Sequence, residues 1–312
     1  MNLQATLDDI AGEIVPHLGV GKVADYIPAL AQVDPHKFGI AVTTVEGESL
    51  LAGAADERFS IQSISKVFTL TMAAEFVGQD LWQRVGREPS GSAFNSIVQL
   101  EYEHGIPRNP FINAGAVVIT DIIASHCPAG GVKGAQGTKT AIVDFLRQRA
   151  DDAAIDFDLE VARSEKAWGY RNAALANLMK AFGNIVNDVD DVLDIYFHQC
   201  AIEMTCRQLS RAMLYFANDG TDPLTGQLVV SAERARRINS IMLTCGHYDA
   251  SGDFAVRVGL PGKSGVGGGI VAIVPQRLAV AVWSPALNEQ GNSHAGTLAL
   301  EKFAARTGYS IF

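Results

Sequence analysis

Cysteine is scarce in this sequence: only four of the 312 residues are cysteines. They have neither Cys-x-x-Cys spacing nor the density of a disulfide-stapled secreted scaffold, so we expect reduced thiols and a cytoplasmic location. The seven histidines are scattered singly and form no HExxH or Cys/His cluster, which argues against a metal site. We therefore predict no metal ion and no other cofactor.

Basic residues and long apolar runs are also in short supply. The chain has 25 Lys and Arg against 34 Asp and Glu, and its longest basic run is Arg236-Arg237, so no nucleic-acid partner is expected. The longest apolar stretches, 267–275 and 278–283, are far shorter than the roughly 20 residues of a membrane-spanning helix. Acidic side chains at the N-terminus replace the basic start of a secretory signal. We expect neither membrane insertion nor export by that route.

Apolar periodicity is plentiful and predicts an α+β fold. Residues 38–62 contain two short apolar segments around Gly47, which is typical of a hairpin. A helix is predicted from Val67 to Gly78, and further helices over 114–125, 140–150, 173–182 and 189–197. Strands are predicted at 254–258, 270–274 and 278–283, with a turn at Pro275-Gln276. We expect one domain over residues 1–312, with an antiparallel sheet built from about 1–65 and 240–312, helices packed on it, and a helical region at about 66–239.

A Ser-x-x-Lys motif, Ser63-Ile64-Ser65-Lys66, lies at the start of the first predicted helix. Three residues make nearly one helical turn, so the Ser63 hydroxyl and the Lys66 amine are expected on the same face. An unprotonated lysine, favoured by burial or by a second cation such as Lys263, could take the hydroxyl proton. The helix N-terminus would offer N–H groups to a developing oxyanion. Such a motif is common by chance and carries little weight alone.

A second motif, Lys263-Ser264-Gly265, precedes a glycine run and a strong strand. Lys-Ser/Thr-Gly on a sheet edge can anchor a substrate and supply an oxyanion N–H, whereas the alternative interpretation is a glycine-rich turn. The two motifs together, with strands at both ends and helices between them, have the layout of the serine β-lactamase and penicillin-binding-protein superfamily. Tyr170-Arg171-Asn172 matches the third element of that superfamily, but we interpret Tyr170 as coincidental.

Longer segments resemble one branch of that superfamily, the serine-dependent glutaminases of bacterial and mitochondrial type, nearly end to end. The segments that carry the resemblance are Gly21–Leu30, Phe59–Lys66, Asn95-Ser96, Gly105–Ala116, Glu165 with Asn172, Tyr196-Phe197 with Cys206, Cys245–Asp249, Val258–Gly269, Trp283–Pro285 and Gly291–Ser293. Gly262 stands where relatives commonly have alanine, and no functional consequence is expected.

The resemblance implies hydrolysis of L-glutamine to L-glutamate and ammonia through an acyl-enzyme on Ser63. Lys66 and Tyr248 would be the acid-base groups, and the backbone N–H groups of Ser63 and Val266 the oxyanion hole. Glu165 would bind the substrate ammonium, and Lys263 would tune the site electrostatically. Hydrogen bonds to the substrate would come from Tyr26, Gln62, Asn113, Asn172 and Tyr196. Cys200 and Cys206 are interpreted as structural. A homo-oligomer, dimer or tetramer, is also implied.

Several alternatives stay open on the sequence. Taken singly, the tyrosines could be ordinary buried aromatics, Asn113 a helix N-cap, Asn172 a surface residue and Glu165 part of a solvated face. A β-lactamase or peptidase would use the same serine and lysine. A noncatalytic binding module would be expected to have lost one of them. Neither activation by phosphate nor the identity of the general base, Lys66 or Tyr248, follows from the residues.

Overall fold

The computed structural model describes residues 2–90, 97–127 and 134–312. The Asn95-Ser96 pair of the sequence pattern lies outside the described residues. A five-stranded sheet has the order β2-β1-β8-β7-β6, and every neighbouring pair is antiparallel. Its strands are β1 Gly39–Thr44, β2 Ser49–Gly53, β6 Gly262–Ser264, β7 Gly269–Val274 and β8 Leu278–Trp283. The predicted antiparallel sheet built from N- and C-terminal segments is confirmed.

The three inner strands of this sheet are covered on both faces, since every residue of β1, β7 and β8 is buried. Side chains such as Ile270 and Val282 face one hydrophobic cluster, and the alternate positions, such as Val271 and Ala281, face the other. This alternation follows from the two-residue period of a strand. The first cluster lies under the terminal helices α1 Leu3–Ile14 and α14 His294–Thr307, and the second lies under the helical region.

The helical region carries the predicted helices, with ends shifted by up to five residues. Its helices are α2 Ser65–Val77, α3 Leu81–Arg84, α4 Ile97–Tyr102, α5 Asn113–His126, α6 Ala135–Ala150, α7 Leu159–Trp168, α8 Tyr170–Ala181, α9 Val189–Cys200, α10 Cys206–Ala212, α11 Leu214–Ala217 and α12 Ala232–Cys245. Short strands β3 Phe59–Ser60, β5 Ile202–Met204 and β4 Asp156–Phe157 form a second antiparallel sheet in the order β3-β5-β4. In this small sheet, β3 is the strand that precedes α2 along the chain.

The strand predicted over 254–258 is wrong, because this segment is part of helix α13, Ser251–Arg257. Phe254 and Val258 are buried and four residues apart, whereas Val256 between them is 87% exposed. A spacing of four puts two side chains on one helical face, while a strand would have turned all three alternate residues the same way. A segment of five residues with apolar alternate positions fits the two-residue period of a strand and the 3.6-residue period of a helix alike. The packing of Phe254 on His247 favours the helix.

None of the helices in the described residues is both long and apolar enough to cross a bilayer.

Candidate active site

A cavity of about 370 Å³ opens where the turn before α2 meets helices α5, α7, α8 and α9. The loop after β6 and the turn after α12 complete its wall. Nine of the residues singled out in the sequence line it: Tyr26, Gln62, Ser63, Asn113, Glu165, Asn172, Tyr196, Tyr248 and Val266. The remaining two, Lys66 and Lys263, are fully buried behind the lining. Residues from seven separate stretches of the described chain therefore meet at one pocket.

Ser63 lies in a single 3-10 turn, Gln62–Ile64, between β3 and α2. Gln62 has a φ of +49°, in the left-handed region that disfavours residues other than glycine, so the chain turns sharply just before the serine. The glycine run after Lys263 packs closely against this turn. A Cβ on Gly265 would lie 2.5 Å from the Ile61 carbonyl oxygen, and one on Gly267 would lie 2.1 Å from that of Ser60. Glycine at these positions lets Val266 lie beside Ser63.

Lys66 is 1% exposed, and oxygen atoms of neutral groups hold its amine. Its Nζ donates to Asn113 Oδ1 at 2.8 Å and to the Phe111 carbonyl at 3.2 Å. Burial without a contacting carboxylate lowers the pKa of Lys66 to about 8, although Cys200 and Glu165 nearby act in the opposite direction. About a tenth of this amine is therefore unprotonated at pH 7 and about half at pH 8, and this is the state that can accept a proton.

Tyr248 connects the two motifs through its hydroxyl. The hydroxyl hydrogen-bonds to the Ser63 side chain and to the backbone of Val266. Burial raises the pKa of Tyr248 well above its usual value, so the phenol stays protonated and can act as a donor. Its φ of +53° is a strained conformation for an aromatic residue. The Ser251 hydroxyl steadies that turn by bonding to the Tyr248 carbonyl and to the His247 N–H.

Lys263 lies behind Tyr248, with its Nζ 4.8 Å from the centre of the tyrosine ring. This amine donates to the carbonyl oxygens of Gly246 and Ser264, at 3.0 and 2.5 Å. Burial, followed by the nearby charge of Lys66, lowers the pKa of Lys263 well below its usual value. Lys263 therefore does not reach the cavity and can influence it only through Tyr248 and through its electric field.

Among the described residues that line the cavity, Glu165, from the last part of α7, contributes the one carboxylate. Desolvation raises the pKa of this carboxyl to about 7. A hydrogen bond from the Gln62 side chain and the charge of Lys66 act in the opposite direction and lower it. Tyr196 on α9 hydrogen-bonds to the Cys200 side chain, one turn further along the same helix. Tyr26 lies at the edge of the cavity and is 58% exposed.

Asn113 is not the N-cap of α5, since Ile112 occupies that position. Its Nδ2 donates to Asn172 Oδ1 at 3.0 Å, while its Oδ1 accepts from Lys66. This pair of amides joins the lysine to the far wall of the cavity. The N-cap interpretation of Asn113 and the solvated-face interpretation of Glu165 are therefore both wrong.

Some residues that line the cavity were not predicted as site residues from the sequence. Cys200, interpreted as structural, lines the cavity, and so do Trp168 and Arg171. The four-residue spacing between Tyr196 and Cys200 on one helix was the signal that could have found the cysteine. Tyr170, in contrast, is 75% exposed and is not part of the lining, in agreement with its interpretation as coincidental. Across the described ranges, no three His, Cys, Asp or Glu side chains are grouped so as to hold a metal ion.

The fold and this cavity together define an α+β protein with the β-lactamase-like fold, in which a Ser-x-x-Lys turn and a Lys-Ser-Gly strand meet at one pocket. Solved structures agree with that class. A probable glutaminase of Bacillus subtilis superposes with a TM-score of 0.90 at 33% identity, covering 100% of this chain and 98% of its own. A protein called Mglu, solved in its glutamate form, has a TM-score of 0.91 at 33% identity, covering 100% and 70%.

Sequence comparison leads to the family. The thermolabile glutaminase of Rhizobium etli is 60% identical over 312 residues, covering 100% of this chain and 99% of that relative. The glutaminase of Rhizobium meliloti is 62% identical, covering 100% and 97%. The glutaminase family model matches residues 21–312. The chain belongs to the glutaminase family, and it is an amidohydrolase, as the resemblance predicted.

Proposed function

We propose that this protein hydrolyses L-glutamine to L-glutamate and ammonia through a covalent acyl-enzyme on Ser63. The observation that carries the proposal is the buried Lys66 amine, whose pKa is lowered to about 8, one turn beyond a serine that lines the cavity. A side-chain amide is a poor electrophile, so its attack requires an activated hydroxyl. A structural relative is solved in its glutamate form, which fits a glutamate product.

In the first half of the reaction, Lys66 takes the Ser63 proton as the serine oxygen bonds to the amide carbon. The backbone N–H groups of Ser63 and Val266 stabilise the oxyanion. The C–N bond then breaks, and ammonia leaves after it receives a proton from Lys66, passed through the Tyr248 hydroxyl. The Tyr248 hydroxyl is hydrogen-bonded to the Ser63 side chain and accepts from the Val266 N–H, which supports this route. In the second half, water attacks the acyl carbon while Lys66 takes its proton, the ester bond to Ser63 breaks as that proton passes to the serine oxygen, and glutamate leaves.

The remaining cavity residues would recognise the free amino acid. Glu165 is the partner for the substrate ammonium, because within the described part of the chain it is the one carboxylate in the lining and its ionised form needs a cation to offset desolvation. The substrate carboxylate and backbone would be held by donors from Tyr26, Asn113, Asn172 and Tyr196, with Gln62 beside them. Lys263 would tune the site through Tyr248.

The test is ammonia release from L-glutamine and from L-asparagine, with hydrolysis of a chromogenic cephalosporin in parallel. Purified wild-type protein is compared with Ser63→Ala, whose folding is checked by circular dichroism. We expect release from glutamine in the wild type alone. Wild-type rates in Ser63→Ala would remove the acyl-enzyme mechanism. Cephalosporin hydrolysis would favour the β-lactamase or peptidase alternative, and inactivity on all three substrates would favour a binding role.

The resemblance also supports a homo-oligomer, dimer or tetramer, in the cytoplasm, with residues 1–312 as one catalytic domain. These remain predictions. Light scattering coupled to size-exclusion chromatography measures the first of them directly.

A further inference from the structure

Ser60 is the last residue of β3, two residues before Gln62, which lines the cavity. Its side chain is buried and does not line the cavity. The Ser60 hydroxyl donates to the carbonyl oxygen of Cys200 at 3.0 Å, and Gln62 Nε2 donates to Ser60 Oγ at 3.0 Å. One buried hydroxyl therefore links helix α9 to the carboxamide of Gln62.

The direction of these hydrogen bonds is fixed by elementary chemistry. A serine hydroxyl has one proton, and a backbone carbonyl can only accept, so the proton of Ser60 belongs to the Cys200 carbonyl. The Ser60 oxygen then has only lone pairs to offer to Gln62. The carboxamide must consequently present its NH2 group, not its oxygen, to the serine. That NH2 group has a second proton, and the Gln62 side chain also hydrogen-bonds to the Glu165 carboxylate.

We propose that Ser60 is a positioning residue of the ammonium subsite: its hydroxyl sets the orientation of the Gln62 carboxamide so that an N–H points at Glu165. This inference rests on the proposed function, in which Glu165 binds the substrate ammonium. An N–H donor stabilises the ionised carboxylate, whereas the amide oxygen would repel it. Without the Ser60 hydroxyl, the carboxamide loses the acceptor that holds its NH2 group on that side, and the orientation that turns its oxygen toward Glu165 becomes accessible.

The effect should appear near neutral pH. Desolvation already raises the pKa of Glu165 to about 7, so a lost donor changes the ionised fraction where the enzyme works. The other titratable groups that face Glu165 are Lys66, Tyr26, Tyr196 and Cys200. Of these, the cation of Lys66 lowers the Glu165 pKa, while the two phenols and the thiol are neutral at this pH because desolvation of their polar atoms raises their pKa values.

The experiment measures L-glutamine binding by calorimetry between pH 5.5 and 9 in the Ser63→Ala background, where no turnover occurs. Addition of Ser60→Ala should move the midpoint of the pH dependence of Kd upward by about one pH unit, and weaken binding about fivefold at pH 7. Above the new midpoint, the two proteins should bind alike. In the active background, Ser60→Ala should leave kcat within about twofold while it raises KM at pH 7.

Three comparisons separate positioning from a general packing defect. Ser60→Thr keeps the hydroxyl and should restore the midpoint. Ser210→Ala removes another buried hydroxyl, which donates to the Arg207 carbonyl at 3.0 Å outside the cavity, and should leave Kd unchanged at every pH. The third comparison combines Ser60→Ala with Glu165→Gln. In the Glu165→Gln protein, Ser60→Ala should not change Kd further, because the two residues act as one unit.

The inference would be overturned if Ser60→Ala weakened glutamine binding by the same factor at every pH. It would also be overturned if the changes in Kd caused by Ser60→Ala and Glu165→Gln were additive. Both results can be obtained even if Ser60→Thr fails to fold. Unchanged binding would overturn it as well. The proposed function fails differently: the wild type would release no ammonia from glutamine, or Ser63→Ala alone would bind none. Those two results would remove both proposals together.

Discussion

Substitution of Asn113 by aspartate should move the pH dependence of kcat to higher pH. In the structure, Asn113 Oδ1 accepts a hydrogen bond from Lys66 Nζ at 2.8 Å, and the other contact of this amine is a neutral carbonyl. The pKa of Lys66 is about 8 because the buried amine has no carboxylate in contact. Asn113→Asp puts a negative charge at that oxygen with little change in shape. The charged form of the lysine then gains a partner, and its pKa rises.

The size of the shift follows from the distance. Two unit charges 2.8 Å apart attract by about 6 kcal/mol at an effective dielectric constant of about 20. Part of this is lost because the new carboxylate must itself be desolvated, and shifts caused by one adjacent opposite charge are about 1–3 pKa units. With a shift of about 2 units, the unprotonated fraction of Lys66 at pH 8 falls from about one half to about one hundredth. We therefore expect kcat at pH 8 to fall about 50-fold and to recover near pH 10.

The assay is steady-state ammonia release at saturating glutamine from pH 6 to 10.5, because kcat reports groups of the enzyme-substrate complex. Asn172→Asp is the matched control: its carboxylate would lie one amide further from Lys66, so its shift should be smaller. Equal shifts in the two variants would contradict the electrostatic argument. A kcat that falls in Asn113→Asp by one factor at every pH would refute Lys66 as the base and leave Asn113 with a role in binding.

Three further variants test other parts of the site and the fold. Tyr248→Phe removes the hydroxyl bonded to Ser63 but keeps the ring, so kcat should fall by about 10²–10³ with little change in KM. Glu165→Gln removes the charge that binds the substrate ammonium, so KM for glutamine should rise about 10–100-fold. Asp121→Ala leaves Arg84 and several backbone and amide donors without their buried acceptor, so the free energy of unfolding should fall by about 3–5 kcal/mol in urea titrations.

The glutamate and aspartate variants each have a matched control. Glu160→Gln changes an exposed carboxylate of the same helix α7 outside the cavity, and should leave KM unchanged. Asp56→Ala breaks an exposed bidentate pair with Arg207, and should cost only about 0–1 kcal/mol. An equal rise of KM in the two glutamate variants, or equal losses of stability in the two aspartate variants, would contradict the assignments. A Tyr248→Phe protein with wild-type kcat would remove the hydroxyl from the proton route.

Local patterns predicted the parts of the fold that depend on neighbours in sequence. The run Leu278–Trp283 is apolar at every position, as a strand covered on both faces must be, and it forms β8. The helix from Val67 ends at Gly78 as predicted, where φ is +59°. The segment 254–258 was mistaken because its periodicity fits a strand and a helix alike. The exposure of Val256 and the contact between Phe254 and His247, neither of which the sequence reveals, separate them.

The cavity depended less on local pattern than on the family resemblance. Spacing alone indicated Ser63 and Lys66, whereas Glu165 and Asn172 have no local signal that distinguishes them from surface residues. The strained turn at Gln62 arises from contact with a glycine run about 200 residues later in the chain. The same holds for Lys66: its low pKa is set by burial against α5, which no pattern within its own helix contains.

Two displaced pKa values in one cavity determine how the wild-type enzyme should respond to pH. Glu165 must be ionised to bind the ammonium and Lys66 must be unprotonated to act as the base, and their pKa values are about 7 and about 8. Because the two groups interact, the apparent values belong to the pair. At pH values below both, a lower pH protonates both groups, so log kcat/KM should fall with a slope approaching 2 per pH unit. Between the two values the slope should approach 1. In Glu165→Gln the slope should be 1 throughout, because only the lysine still titrates. A slope of 1 in the wild type from pH 5 to 7 would mean that glutamine binds equally well to the protonated carboxyl, and the ammonium subsite would have to be sought elsewhere.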